Sequence, residues 1–398
     1  MPWYSEPLLI PSTGELMTRS TCCVLAAIGG VAIAVSGCQA TTKSSRNASR
    51  EQAAQPGDEA ADRPSSNAYR DPVARATLRE RALAVLASSA TNGLPEERAN
   101  AIEGLTTTPG RLYPQVQRGV VDSVVGVRSV AAMSVGRSKL QAATDLVRPL
   151  LTDPAPQVRL AAMYALHQAG EPVDLTPMAT LMLSGDIKVR AQAAFLLGEM
   201  GDPTALGLLR DAGRGAVSKS GPADIRLFDL QVAEARIKLG DDGPLQDVRA
   251  ALFPARPEDL EATALACQIL GQVRDRASVN RMIALIKPQD ESNKVMPAEI
   301  RLAAAAALAR LGQPHGSPLA NQYRSHPNDA LRAQAAFVLG ETGRIENLPV
   351  LEGMMGDSVG RVRVAAGAAI VRITESDGSL EGIGQTGGEI GLPGSAPQ

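Results

Sequence analysis

The stretch Arg190-Ala-Gln-Ala-Ala-Phe-Leu-Leu-Gly-Glu199 returns 142 positions later as Arg332-Ala-Gln-Ala-Ala-Phe-Val-Leu-Gly-Glu341, with nine of its ten residues unchanged. A segment that recurs in this way is a repeat unit, and it sets the frame for the rest of the chain. Counting the residue before each recurrent arginine as offset zero places that residue at Val127, Val158, Val189, Phe228, Ala262, Ile300, Leu331 and Val362. The intervals are 31, 31, 39, 34, 38, 31 and 31 residues, two strictly periodic runs on either side of a looser middle.

Each unit reads as two helices. In the second, offsets zero, four, eight and eleven fall in one narrow stripe of a helix with 3.6 residues per turn, as in Val189, Ala193, Leu197 and Met200. That stripe is the expected core. Apolar residues make up 44% of the chain but aromatics only 3%, so the core is built from Ala, Leu, Val and Ile. Alanine at offsets four and five lets helix axes approach toward the lower end of the usual separation of about 8 to 10 Å. Gly170, Gly201, Gly240, Gly312 and Gly343 all stand at offset twelve, where a helix end calls for a residue free to turn left-handed. The pattern predicts an all-α fold: a right-handed α-solenoid of stacked helical hairpins over residues 71–375. A first helix from Asp71 to about Ser88, followed by a degenerate unit around Arg98 over residues 89–115, is expected to cap the stack, because terminal repeats are atypical.

Over residues 120–374 the recurring Asp-Pro, Val-Arg, Ala-Ala, Leu-Gly and Gly-Asp-Pro resemble HEAT-like repeats of the short kind found in phycobilin-lyase-type proteins. The resemblance implies a binding scaffold or, as in a few such proteins, a subunit of an enzyme that attaches or removes chromophores. Fold alone licenses neither activity.

The amino-terminal part carries an address. After Met17-Thr-Arg-Ser-Thr comes an apolar run from Cys22 to Val35, too short to span a bilayer, which takes about 20 residues, but of the length of a signal-peptide core. Val35-Ser-Gly-Cys38 resembles the lipobox of bacterial lipoprotein signals, which implies that Cys38 is lipidated and becomes the mature terminus. Residues 1–37 are thus read as a signal region whose true start is Met17. Residues 38–70 hold almost no large apolar side chains and cannot offset the entropy of ordering. They read as a disordered tether with a mean reach of roughly 30 Å, and the glycine-rich residues 376–398 as a disordered tail. The expected location is the periplasmic or envelope side of a bacterial membrane.

Three groups of side chains are candidate sites. Arg128, Arg159, Arg190, Arg301, Arg332 and Arg363 share offset one, broken in the centre by Asp229 and Thr263. They form either an anion-binding stripe or a structural ladder in which each guanidinium bonds the carboxylate or carbonyls of an adjacent inter-helix turn, such as Asp153, Asp186, Asp329 or Asp357. With 40 basic against 42 acidic residues, the overall charge favours the ladder and argues against nucleic acid, which selects a basic face. Offset six holds Met133, Tyr164, Phe195 and Phe337, at the edge of the exposed stripe with offsets two and ten. These are read as a row of anchors for a protein or peptide partner, the alternative being that they fill gaps between neighbouring second helices. The longer intervals of the middle insert residues between the first and second helix of two units. Lys219, Asp290, Glu291 and Lys294 lie there, on one edge of the solenoid, where insertions often form a binding surface.

Catalytic constellations are not found. His167, His315 and His326 have no ligand spacing, and no phosphate loop, nucleophile elbow or haem-attachment motif occurs. Glu199 and Glu341 lie 142 residues apart, too far in a stack rising about 9 to 10 Å per repeat to share a substrate atom. Cys267 reads as a small buried hydrophobe. The reading is a non-enzymatic scaffold without cofactor or metal, anchored to a membrane through its lipid and binding a protein or peptide.

Overall fold

The computed structural model describes residues 66–212, 220–287 and 296–381, and among these the regular structure is helical. Eighteen α-helices alternate between an outer and an inner layer. The outer ones are α1 (Pro72–Asn92), α3 (Pro109–Gly119), α5 (Thr144–Val147), α7 (Thr176–Leu181), α9 (Leu206–Ala212), α11 (Leu245–Ala250), α13 (Val279–Ile286), α15 (Gly316–Tyr323) and α17 (Leu348–Met354). The inner ones are α2 (Pro95–Gly104), α4 (Val125–Ser138), α6 (Pro156–Gln168), α8 (Ile187–Met200), α10 (Pro222–Lys238), α12 (Leu260–Gln272), α14 (Ala298–Arg310), α16 (Asp329–Glu341) and α18 (Gly360–Glu381). Several outer helices begin or end in a 3-10 turn, as at Arg276–Ser278 before α13. Cys38, expected to be lipidated, residues 1–37, expected to be a signal region, and the insertion residues Lys219, Asp290, Glu291 and Lys294 lie outside the described residues.

Local chemistry sets each hairpin. Asp186 caps α8 by accepting from the Lys188 amide, and Asn328 caps α16 by accepting from the Ala330 amide, supplying acceptors to amides that have no partner within the helix. At the other end Gly201 takes φ +76°, the left-handed conformation that costs an L side chain about 1–2 kcal/mol. Lys139 and Arg274 occupy the same offset twelve and take the same turn, at φ 48° and 57°. The geometry of the repeat therefore imposes the turn even where glycine is missing.

Consecutive inner helices pack side by side, and small residues govern how closely. At offset nine, Gly198 meets offset seven of the next inner helix: a Cβ on it would stand 2.7 Å from the Ala235 Cα. Gly271 repeats the relation with Ala307, at 2.9 Å from its Cα, and Gly340 with Ala369, at 2.7 Å from its Cβ. Tyr164 fills the space over Gly136, where a Cβ would lie 2.5 Å from the ring.

The array closes on itself. The last inner helix, α18, packs against α16 on one side and against α1 and α2 on the other. The seam is pinned by Arg79 to Glu375 at 2.7 Å, Arg81 to Glu352 at 2.5 Å and Arg361 to Glu96 at 3.1 Å. One hydrophobic core runs across it, from Leu78, Leu86 and Ile102 to Val364 and Ile370, while a smaller core lies under α10 to α14. Two expectations are corrected. The first hairpin is α1 and α2, ending at Gly104, and it closes a ring rather than capping an open stack. The ordered body also begins before residue 71: Ser66–Arg70 form a 3-10 turn whose Tyr69 is buried and donates to Glu352. Burial pushes the Tyr69 phenol well above its ordinary value, and the carboxylate it bonds adds to the effect.

Candidate functional site

Because every inner helix follows its outer partner, the nine inner helices are parallel and their starts form one rim of the ring. The offset-one arginines stand there, each bonded to a turn. Arg128 reaches Asp153 with two bonds of 2.8 and 3.0 Å and the Asp122 carbonyl at 2.9 Å. Arg332 reaches Asp357 at 2.8 and 2.9 Å and the His326 carbonyl at 2.8 Å. Arg159 and Arg363 donate to the carbonyls of Asp153 and Asp357. Arg190, almost wholly buried, donates to the Ala212 carbonyl and lies 4.8 Å from the Phe228 ring centre. Arg301 bonds the Ile286 carbonyl and the Tyr323 hydroxyl. Where the ladder breaks, the Thr263 hydroxyl donates to the Ala251 carbonyl and serves the same kind of turn. Arg98 extends the ladder into the first hairpin through two 2.8 Å bonds to Asp122.

These bonds have a pH signature. The Arg332 guanidinium holds the Asp357 carboxyl below its usual value of 3.8, against the burial that opposes it. A depressed carboxyl contributes stability above the unfolded value and loses it as pH falls through the folded one. Arg332→Ala is therefore expected to cost about 2 kcal/mol at neutral pH, and the deficit should shrink as pH falls below the ordinary aspartate range. Paired thermal melts of parent and variant across that range check the sign; a deficit independent of pH would contradict it.

The opposite face of the inner helices looks onto a central lumen of about 440 Å³. Along α18 its lining runs from Arg361 to Arg372, eleven residues or about 16 Å of helix, which is most of the wall's height. Offsets two, six and ten supply most of its side chains, and here the reading of offset six is corrected. Met133, Tyr164 and Phe195 are only 1, 3 and 3% exposed, and Phe337 is half-buried. They do not form an open row of anchors, because neighbouring inner helices cover them: Tyr164 fills the space over Gly136 and Lys238 lies over Phe195, which is the gap-filling alternative. The Lys238 ammonium stands 5.1 Å from the Phe195 ring centre, and the Arg310 and Arg372 guanidiniums stand 5.7 and 5.6 Å from that of Phe337, distances at which a cation is attracted to the π face. Burial pushes the Tyr164 phenol up to about 12.

Offset ten carries a belt of charge. Arg137 pairs with Glu103. Lys238 lies 2.6 Å from Glu199 and 2.5 Å from Glu234, and Arg310 lies 2.7 Å from Glu341, which also holds Arg372. Electrostatic coupling links Arg310 with Glu234, Arg372 with Glu103, and Tyr164 with both Glu199 and Arg137, so the belt runs round the lumen. Glu199 and Glu341 do not meet, but they lie in one belt of charge, each bonded to a cation, Lys238 and Arg310, that acts on the enclosed Glu234. Burial raises the wholly enclosed Glu234 carboxyl above its ordinary range. Burial also pulls on the Lys238 ammonium, but Glu234 and Glu199 outweigh it and hold Lys238 above its usual value.

Arg137, Lys238, Arg310 and Arg372 were not singled out from the sequence, although charge at offset ten in six of the eight aligned units was a readable signal. Cys267 is buried among apolar side chains, its thiol pushed up to about 12 by that burial. His326 accepts from the Asn328 amide within its turn. Among the described residues no group of acidic, histidine or cysteine side chains has the geometry to hold a metal ion, and no helix is long and apolar enough to cross a membrane.

The architecture is that of a HEAT-like repeat protein. The PBS lyase HEAT-like repeat family matches residues 189–212, which cover α8 and α9. Human deoxyhypusine hydroxylase in complex with glycerol is similar in structure at 16% identity and a TM-score of 0.34, over 68% of this chain and 98% of that one. The karyopherin Kap121p bound to the SUMO protease Ulp1p is similar at 12% identity and a TM-score of 0.32, over 76% of this chain and 43% of its own length. No curated protein sequence matches the chain.

Proposed function

We propose that the protein is a non-enzymatic scaffold of the bacterial cell envelope, held to a membrane by lipidated Cys38 and presenting the ladder rim of its ring to a protein or peptide partner. The observation that carries the reading is the placement of exposed apolar side chains. Leu94, Val121, Leu183 and Phe253 are 68, 79, 71 and 60% exposed, and each lies in the turn between the outer and inner helix of its hairpin. That topology puts all four on the rim that carries the ladder, spread over the first six hairpins. Single exposed apolar residues are ordinary on a protein surface, but four in equivalent turns give anchors on one face. The ladder beneath them makes the rim rigid, so less ordering entropy opposes binding. In the lumen the carboxylates are engaged with cations, which favours binding over proton transfer.

Photoreactive cross-linkers at Val121 and Leu183 test the reading, with Val73 on the opposite rim as the control position. The expected result is a discrete cross-linked protein from the first two positions in intact envelopes, none from Val73, and at least tenfold less when Leu94 and Phe253 are both changed to serine. Equal labelling from Val73, or none from any position, would remove the rim as the docking face. Metabolic labelling with a fatty acid should mark the parent and not Cys38→Ser; label retained in the variant, or absent from the parent, would refute the anchor.

A further inference from the structure

The lumen supports a second site, independent of the rim. Its volume of about 440 Å³ falls in the range of small-ligand pockets, roughly 300 to 1,000 Å³. Much of its wall is apolar: Phe195, Phe337, Ala333, Val364, Ala365 and Ala368 line it. Its charges are unevenly shared. On the α8 and α10 side one ammonium, Lys238, serves two carboxylates, but Glu234 is 1% exposed and sealed into the wall. On the α14, α16 and α18 side two guanidiniums, Arg310 and Arg372, share the single carboxylate of Glu341. Glu103 and Arg137 pair with each other, and at the ladder end Arg361 pairs with both Glu96 and Asp329.

Accessibility then decides which charge a ligand would meet. The side chains of Glu341, Arg310, Lys238, Arg137, Glu199 and Glu103 are 7 to 26% accessible, whereas that of Arg372 is 52% accessible. The most open charge in the lumen is thus a guanidinium that shares its carboxylate with another arginine and stands over the Phe337 ring. A guanidinium in this position bonds an oxyanion with parallel N–H donors while its aromatic support stays in place.

We propose that the lumen binds one small amphipathic anion, its carboxylate, sulfonate or phosphate head on Arg372 and its apolar body laid along the alanine and phenylalanine wall. Isothermal titration of the full chain carrying Cys38→Ser, which removes the need for detergent, tests this with decanoate, decanesulfonate and uncharged decanol. Both anions should bind with one site per chain, and decanol at least tenfold more weakly. Arg372→Gln should weaken both anions tenfold or more and leave decanol unchanged. Its unfolding midpoint should stay close to the parent's, because Glu341 keeps Arg310. Ala365→Phe, which fills the lumen, should abolish binding of all three, while Leu94→Ser should change none of them. Decanol binding as tightly as the anions, anion affinity unchanged in Arg372→Gln, or no binding of either anion to the parent would each overturn the proposal.

Discussion

Replacing Lys238 by methionine is expected to destabilise the ring by about 3–5 kcal/mol at neutral pH, the usual penalty for removing one partner of a buried ion pair. The ammonium lies 2.5 Å from Glu234, whose side chain is almost wholly buried, and 2.6 Å from Glu199. Without it, two carboxylates face each other across the α8–α10 contact and the wall excludes the water that would solvate Glu234. The enclosed acid must then either take up a proton or open the wall. The sign of the pH dependence follows. An acid whose folded value is raised keeps its stability below the unfolded value and loses it as pH rises through the folded one. The deficit of Lys238→Met relative to the parent should therefore widen as pH rises above the ordinary glutamate range. The double variant Lys238→Met, Glu234→Leu should recover most of the loss, since an apolar replacement of a buried pair is often neutral. Urea unfolding of the parent and both variants measures this. A deficit that does not change with pH, or a double variant no better than the single one, would show that the buried charge of Glu234 is not what Lys238 neutralises.

Gly340→Val is expected to cost about 3 kcal/mol, at the upper end of what overpacking exacts. A Cβ there would lie 2.7 Å from that of Ala369 and 2.9 Å from the Ala369 Cα, so α16 and α18 must move apart next to the seam. A backbone atom cannot rotate away as a long side chain can, and the displacement passes to the closure contacts of α18 with α1 and α2. Gly207 in α9 is the control: nothing stands within 4 Å of its Cβ position. Gly207→Ala should leave stability unchanged or raise it by up to about 1 kcal/mol, because alanine loses less conformational entropy on entering a helix. Thermal unfolding of the two variants should thus move in different directions, and a loss in both would mean that helix packing is not the reason for glycine at offset nine.

Much of the fold could be read from one stretch. The alanines, Leu197 and Gly198 of the opening repeat imply close helix packing, and Gly201 ends the helix as its offset requires. Arg190 and its equivalents bond turns, for which carboxylates such as Asp153 and Asp357 were already visible as partners. These are local relations, set within one unit or between neighbours, and a 31-residue period carries them without knowledge of the whole. The lumen was not legible in the same way. Phe195 and Phe337 share an offset and could be placed on one stripe, but whether that stripe meets solvent or the far wall depends on how the rotations of nine hairpins add up. Small differences per unit decide between an open superhelix and a closed ring.

The sequence by itself therefore determined the repeat, its two helices, its glycine stop and its arginine bonds, because each depends on residues within about one repeat of one another. Only the tertiary structure decided that the chain closes. Closure rests on contacts between residues nearly 300 positions apart, such as Arg79 with Glu375 and Tyr69 with Glu352, and such long-range pairs leave no trace in a local period. From closure follow the belt of charge around one cavity and the lumen in which Arg372 stands as the most open cation.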